Sequence, residues 1–448
     1  MVSTWRNSST YRHTRYTRVM PAALADLSIN ARWIAPMTKR DWILEDHSLV
    51  VRNGRILAIL PRAEAAATYA AGLVIDRPSH LLMPGLVNAH TQAATSLLRG
   101  VAARNPPLEQ RLADPEFVRD GVLLSIAEML ASGTTCFADR SYFPDETARA
   151  VASQGMRAVI GLPVSEHRSP WAQTAGEYLT HALDVRDNYR NHPLISTAFA
   201  PHPPVAISDA TFGRIATLAD ELDACIAIQV HASAAEIGES ISRHGRRPIV
   251  RLRDLGLLTP ALNALHMAQV DGADIELAQR GGISASLCPE SDLGQGFGLP
   301  PAAKLAAAGL RLGLGSGAMA SYYHQDLWTE MKLLTAAAAD ETESGFSAWD
   351  ALATATCGGA AALGLDADIG TLEPGKWADL CCADLSAPAT QPLYHPITQL
   401  VFCGGRDVVT DVWVAGRQLL SDGAFTRLDW PGVAARANAW TSRLTTEG

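Results

Sequence analysis

The chain has 448 residues, a formal net charge of −9, 48% hydrophobic and 19% charged residues. That length exceeds one typical domain, although a barrel of about 250 residues folds as a single unit, and the composition suits a globular protein with a large core. The acidic balance disfavours nucleic acid or an anionic membrane surface as the main partner, and no charge-free run of about 18 apolar residues marks a membrane span. The seven cysteines are scattered without a C-x-x-C pair, and Cys381 and Cys382 are adjacent, which reads as a reduced, cytoplasmic setting.

Residues 1–19 (MVSTWRNSSTYRHTRYTRV) are rich in Arg, Ser and Thr and contain no acidic residue. A transit peptide shares that composition, but the favoured reading is a disordered extension ahead of Met20. Residues 20–82 are β-rich, with LSINARWIAPM followed by HSLVVRNGRILAILP and its Asn53-Gly54 turn. The same style returns in 366–448, in KWADLCCADLS and QLVFCGGRDVVTDVWVAGRQLL. The two chain ends are therefore expected to pair into one small β-sandwich.

Between 83 and 365 short apolar strands alternate with helices. Examples are VLLSIAEMLASG then TTCFADR, ETARAVASQGM then RAVIGLPV, and DATFGRIATLADELDA then CIAIQVHA. Repeated strand–helix units with glycine at the helix ends predict an α/β fold, a (β/α)8 TIM-like barrel with its chemistry at the C-terminal ends of the strands. Residues 83–100 (MPGLVNAHTQAATSLLRG) carry one such end. In an extended segment residues 90 and 92 point the same way, so His-x-His there would place two imidazoles ready for a metal. The second residue is Gln92.

PGLVNAHTQ, FAPH (199–202), ALHM (264–267), CPES (288–291), LGLGSG (312–317) and GTLEPGKWADL (370–380) together resemble the amidohydrolase superfamily. Within it they are similar to the branch containing methylthioadenosine and S-adenosylhomocysteine deaminases and the triazine chlorohydrolases. The resemblance covers nearly the whole chain from residue 25. It implies one metal held by His-x-His on barrel strand 1, a His on strand 5 and an Asp on strand 8. It also implies a proton-moving Glu three residues after the strand-5 His, a positioning His on strand 6, and a homodimer.

Strand 1 keeps His90 but has Gln92. Strand 5 (IAIQVHASAAEIGES) aligns Gln229 with the ligand and Ala232 with the Glu, while His231 matches the second His of that pattern. His266 matches on strand 6. Strand 7 keeps Cys288 and Glu290 but has Leu287 where the branch has a His, and Cys288 reads as a small buried residue rather than a nucleophile. On strand 8 Ser316 matches a Thr, Gly317 falls on the Asp, and Tyr322, Tyr323 and His324 replace Asn-Asn-Asp. The segment between Gly100 and Asp114 is shorter than the family's lid.

A catalytic zinc needs three protein ligands, and a Gln carboxamide is a weak neutral donor, so neither a metal nor another cofactor is expected. The expected function is metal-independent proton-transfer chemistry (isomerisation, elimination, cyclisation or condensation) on a heterocyclic, purine-like small molecule. His90, His231, His266, Tyr322 and Tyr323 are the catalytic candidates. Gln92, Arg99, His202, Gln229, Glu290, Ser316 and His324 are the binding candidates, and Glu290 and Glu236 are held as acid–base reserves. Two alternatives stand beside it: a non-catalytic binding or regulatory protein, and a metal-dependent deaminase or chlorohydrolase with unconventional ligands.

Overall fold

The computed structural model describes residues 23–100, 114–317, 324–338 and 346–445. The N-terminal extension, the shortened lid and the candidates Tyr322 and Tyr323 lie outside the described residues.

Eight parallel strands close into a barrel: β5 (Leu86–Thr91), β6 (Thr134–Arg140), β7 (Arg157–Val164), β8 (Ile195–Pro201), β9 (Cys225–Val230), β10 (Leu262–His266), β11 (Ser284–Leu287) and β12 (Arg311–Leu314). Strands covered on both faces need no polar side, and all residues of β5 and β7 are buried. The intervening helices bury one stripe. Helix Asp209–Leu222 turns Thr211, Phe212, Ile215 and Ala219 inward, starts on the Ser208 hydroxyl and ends on Asp223 in the left-handed conformation. Helix Pro115–Ala131 is buried more widely because helix Trp430–Thr445 covers its outer side. There the Trp440 indole donates to Asp120 Oδ2 at 3.0 Å, and its ring meets Phe117 edge-on at 5.3 Å.

Both chain ends do pair, as one continuous eight-stranded mixed sheet. From the first part come β1 (Ala23–Ile34), β2 (Leu44–Arg52), β3 (Arg55–Pro61) and β4 (Tyr69–Pro84). The last part supplies β13 (Leu380–Asp384), β14 (Val409–Val414), β15 (Arg417–Ser421) and β16 (Ala424–Phe425). The order is β16-β15-β14-β13-β4-β1-β2-β3, with β13 antiparallel to β4 joining the two halves.

One buried ion pair ties sheet to barrel. Arg157, which opens β7, reaches Asp379 through Nε at 2.7 Å and Nη2 at 3.2 Å. Asp379 Oδ1 also accepts from the Ala415 amide at 2.7 Å. This clamp sits at the N-terminal end of the barrel, away from the strand ends that carry chemistry.

Candidate functional site

The C-terminal strand ends surround a cavity of about 290 Å³. His90 and Gln92 reach it from β5, Arg140 from β6, His202 from just past β8, Gln229 from β9 and His266 from β10. Ser141, Ser165 and Gln295 add polar groups, and no carboxylate lines the cavity among the described residues.

The three imidazoles are held differently. Burial, then His266, Arg140 and His202, keeps His90 well below the ordinary imidazole range. Burial and the Arg140 charge do the same to His202, whose Nδ1 has no hydrogen-bond partner among the described residues. His266 meets His90 edge-on at 5.5 Å between ring centres, and its Nδ1 lies 2.6 Å from Asp292 Oδ1. Asp292 is fully buried at the start of the helix after β11, and burial raises its carboxyl pKa against the opposing pull of His266.

Other candidates fall elsewhere. His231 does not share a face with Gln229, because at φ +54° it breaks the strand alternation. Its Nε2 accepts from the Ile249 amide at 3.2 Å and its Nδ1 lies 3.4 Å from Asp274 Oδ2, so the ring faces the helix layer. Glu236 is structural: it accepts from the His231 and Ala232 amides and, at 2.9 Å, from Gln229 Nε2. Ser316 is buried in the β5–β12 seam, where Asn88 donates to its hydroxyl at 2.8 Å and Gln325 accepts from it at 2.9 Å. Arg99 is exposed and paired with Glu128. His324 lies 3.5 Å from Glu128, and Glu290 sits against Glu330, Asp326 and Glu128; neither lines the cavity. Burial pushes the Cys288 thiol well above its ordinary value, which suits an inert core residue.

Sequence reasoning does not single out Arg140 or Asp292. Arg140 ends the apolar run TTCFADR and carries the same signal that marks the other strand ends. Asp292 pairs with a residue 26 positions away, which no local pattern announces.

A parallel barrel with imidazoles gathered at its C-terminal strand ends has its candidate site where barrel enzymes carry their chemistry. The pattern of the amidohydrolase family matches residues 81–419, and the chain belongs to that family. It is 40% identical to a 5-methylthioadenosine/S-adenosylhomocysteine deaminase of Teredinibacter turnerae, over 94% of this chain and 98% of that one. A deaminase of the same name from Saccharophagus degradans is 37% identical over 94% and 97%. Among solved structures, a zinc-bound adenosine deaminase from Xanthomonas campestris superposes with a TM-score of 0.91 at 40% identity, covering 95% of this chain and 100% of that one. The zinc complex of atrazine chlorohydrolase from Arthrobacter aurescens shares the fold, with a TM-score of 0.84 at 22% identity over 92% and 99%.

These likenesses correct the expected function. Full-length relatives are named as deaminases and a 40% identical structure holds zinc, which points to a metal-dependent deaminase and away from metal-free isomerisation, elimination or a binding-only role. The expectation that no metal-type donors converge is corrected too. Ligand atoms of Glu128, His324 and Asp326 lie within 4.8 Å of one another.

Neither set of residues fits an ion in the cavity. The positions implied by the resemblance offer one imidazole (His90), two carboxamides (Gln92 and Gln229) and Gly317. Gly317 has φ +63°, and a Cβ there would lie 2.6 Å from Ser291 Cβ, so no donor side chain can be placed at that point. Glu128, His324 and Asp326 do not line the cavity, and Arg99 and Arg406 already pair with their carboxylates. His90, His202 and His266 are not among the groups of three whose ligand atoms come within 4.8 Å of one another in the described residues, so the cavity residues do not form a three-ligand zinc-type site.

Proposed function

We propose that the chain is a hydrolytic deaminase of small heterocyclic amines, with purine nucleosides the first class to test. The observation that carries this reading is end-to-end kinship at 40% identity with a deaminase, joined to a cavity at the expected strand ends. Deamination adds water across a ring C=N bond, forming a C–O bond and protonating the ring nitrogen, and then breaks the exocyclic C–N bond to release ammonia, so it needs a group that takes a proton from water and delivers one to the leaving amine. His266 suits that role, because with Nδ1 on Asp292 its Nε2 is left for the cavity. His90 and His202, kept neutral by burial, can accept hydrogen bonds from ring or ribose donors. Gln229, anchored through its Nε2 to Glu236, keeps its carboxamide oxygen for the same use.

The described helices include none long and apolar enough to cross a membrane. All seven cysteines are unpaired, which supports a reducing compartment, and the cytoplasm is proposed. A homodimer is proposed on the family resemblance and is read out by light scattering.

The decisive measurement is ammonia release from 5-methylthioadenosine, S-adenosylhomocysteine and adenosine by the purified full chain, with and without added zinc. Release from one of the three, lost in His266→Ala, is the expected result. Failure of all three to lose the amino group in both conditions overturns the reading.

A further inference from the structure

Arg140 ends β6 with its side chain at the cavity wall, and it also lines the smaller hollow beneath, inside the barrel, so it stands at the cavity floor. Among the described residues its guanidinium has no hydrogen bond and no ion pair. The carboxylate whose charge reaches it is the preceding Asp139. Both oxygens of Asp139 are committed elsewhere: Oδ1 accepts from the Ala93 amide at 2.7 Å and Oδ2 from the Thr147 hydroxyl at 3.0 Å. The Tyr142 phenol, which lines the same cavity, also acts on the Arg140 charge, and His90, His202 and His266 are the imidazoles of that cavity. A guanidinium carries its charge at any ordinary pH and presents a fork of donors matched to carboxylate and phosphate oxygens. Half-buried at the cavity floor without a counter-charge, it is an incomplete pair, and the missing half is an anion small enough for the floor.

We propose that the cavity takes a ligand bearing a compact oxyanion, a carboxylate or a phosphate, whose oxygens pair with Arg140 at the floor beside His90 and His202. This deepens the deaminase reading and rests on it only for the heterocyclic part of the ligand. The same placement accounts for the poor fit of a divalent cation, because a fixed guanidinium beside His90 repels a second positive charge.

Two matched pairs of probes test it on the full chain by calorimetry: nicotinate against nicotinamide for a carboxylate, and adenosine 5′-monophosphate against adenosine for a phosphate. The anionic member of one pair is expected to bind at least about tenfold more tightly than its neutral partner, and the preference to weaken with added salt. Which pair shows it names the oxyanion. Arg140→Met should abolish the preference and Arg140→Lys retain part of it. Since the side chain holds no partner in the described residues, Arg140→Lys is expected to keep the wild-type melting temperature, and Arg140→Met, which removes an uncompensated charge, to keep or raise it. Equal affinity within both pairs, no binding of either anion, or a preference that survives Arg140→Met overturns the proposal. The deamination assay is independent of this outcome. Turnover without an anion preference leaves the deaminase reading standing and removes the anion site; a preference without turnover does the reverse.

Discussion

His266 Nδ1 and Asp292 Oδ1 stand 2.6 Å apart, an imidazole and a fully buried carboxylate joined across two successive barrel strands. The contact sets the plane of the ring and leaves one nitrogen for the cavity. His266→Ala is expected to lower turnover by about 10²-fold or more, the usual cost of losing a proton-transfer group. Asp292→Asn keeps the shape and removes the charge, so kcat should fall by roughly tenfold with KM little changed. Steady-state kinetics on both variants check this, and a larger effect on KM than on kcat would place His266 in binding instead.

His231 should behave differently, although it is also a histidine next to a strand end. Its ring accepts from the Ile249 amide inside the helix layer. His231→Ala leaves that buried amide without an acceptor and should cost about 1–3 kcal/mol of stability. Urea unfolding reads that loss, while kcat/KM at a temperature where the variant is folded should stay within about threefold of wild type.

Glu290 gives a pH signature. Burial first, then Asp326 and Glu128, pushes its pKa up to about 7, with Arg406 opposing. The folded protein therefore holds this proton more tightly than the unfolded chain, where the value is 4.5. The stabilisation is fully present below 4.5 and is lost as pH rises through about 7. Glu290→Gln mimics the protonated form. It should raise the melting temperature near pH 8 by roughly 2–4 °C and change little near pH 4, an effect on the order of 1–2 kcal/mol after solvent screening.

The Arg157–Asp379 pair joins the sheet to the barrel with both side chains buried. Removing one partner strands the other, so Asp379→Ala should cost about 3–5 kcal/mol. Pairing it with Arg157→Met in a double-mutant cycle should recover part of that loss. Additive losses would show that the two groups act separately.

Much of the cavity is legible in the sequence because barrel geometry turns residues at or next to the C-terminal end of a strand toward the mouth. His90, Gln92, His202, Gln229 and His266 all follow that rule. Arg140 obeys it equally, as the final residue of TTCFADR. The rule fails for His231, just past β9, whose ring turns outward to accept from the Ile249 amide. It also fails further beyond the strand ends, since Ser316 is used in the β5–β12 seam and Glu290 belongs to a carboxylate group behind the wall. The Asp292 contact depends on how two distant segments pack. The expected function fails for a different reason. Changed ligand positions suggest a changed reaction, whereas kinship along the full length points to deamination.

Gly317 carries a consequence for anyone redesigning this barrel. Its left-handed backbone and the wall formed by Ser291 leave a socket with no room for even a methyl group. A carboxylate cannot be installed there by one substitution. The opposite wall has to be hollowed first, for instance with Ser291→Gly, and the backbone must still accept a conformation that side chains resist. Swapping ligands into this scaffold is therefore a problem of making space before it is a problem of chemistry.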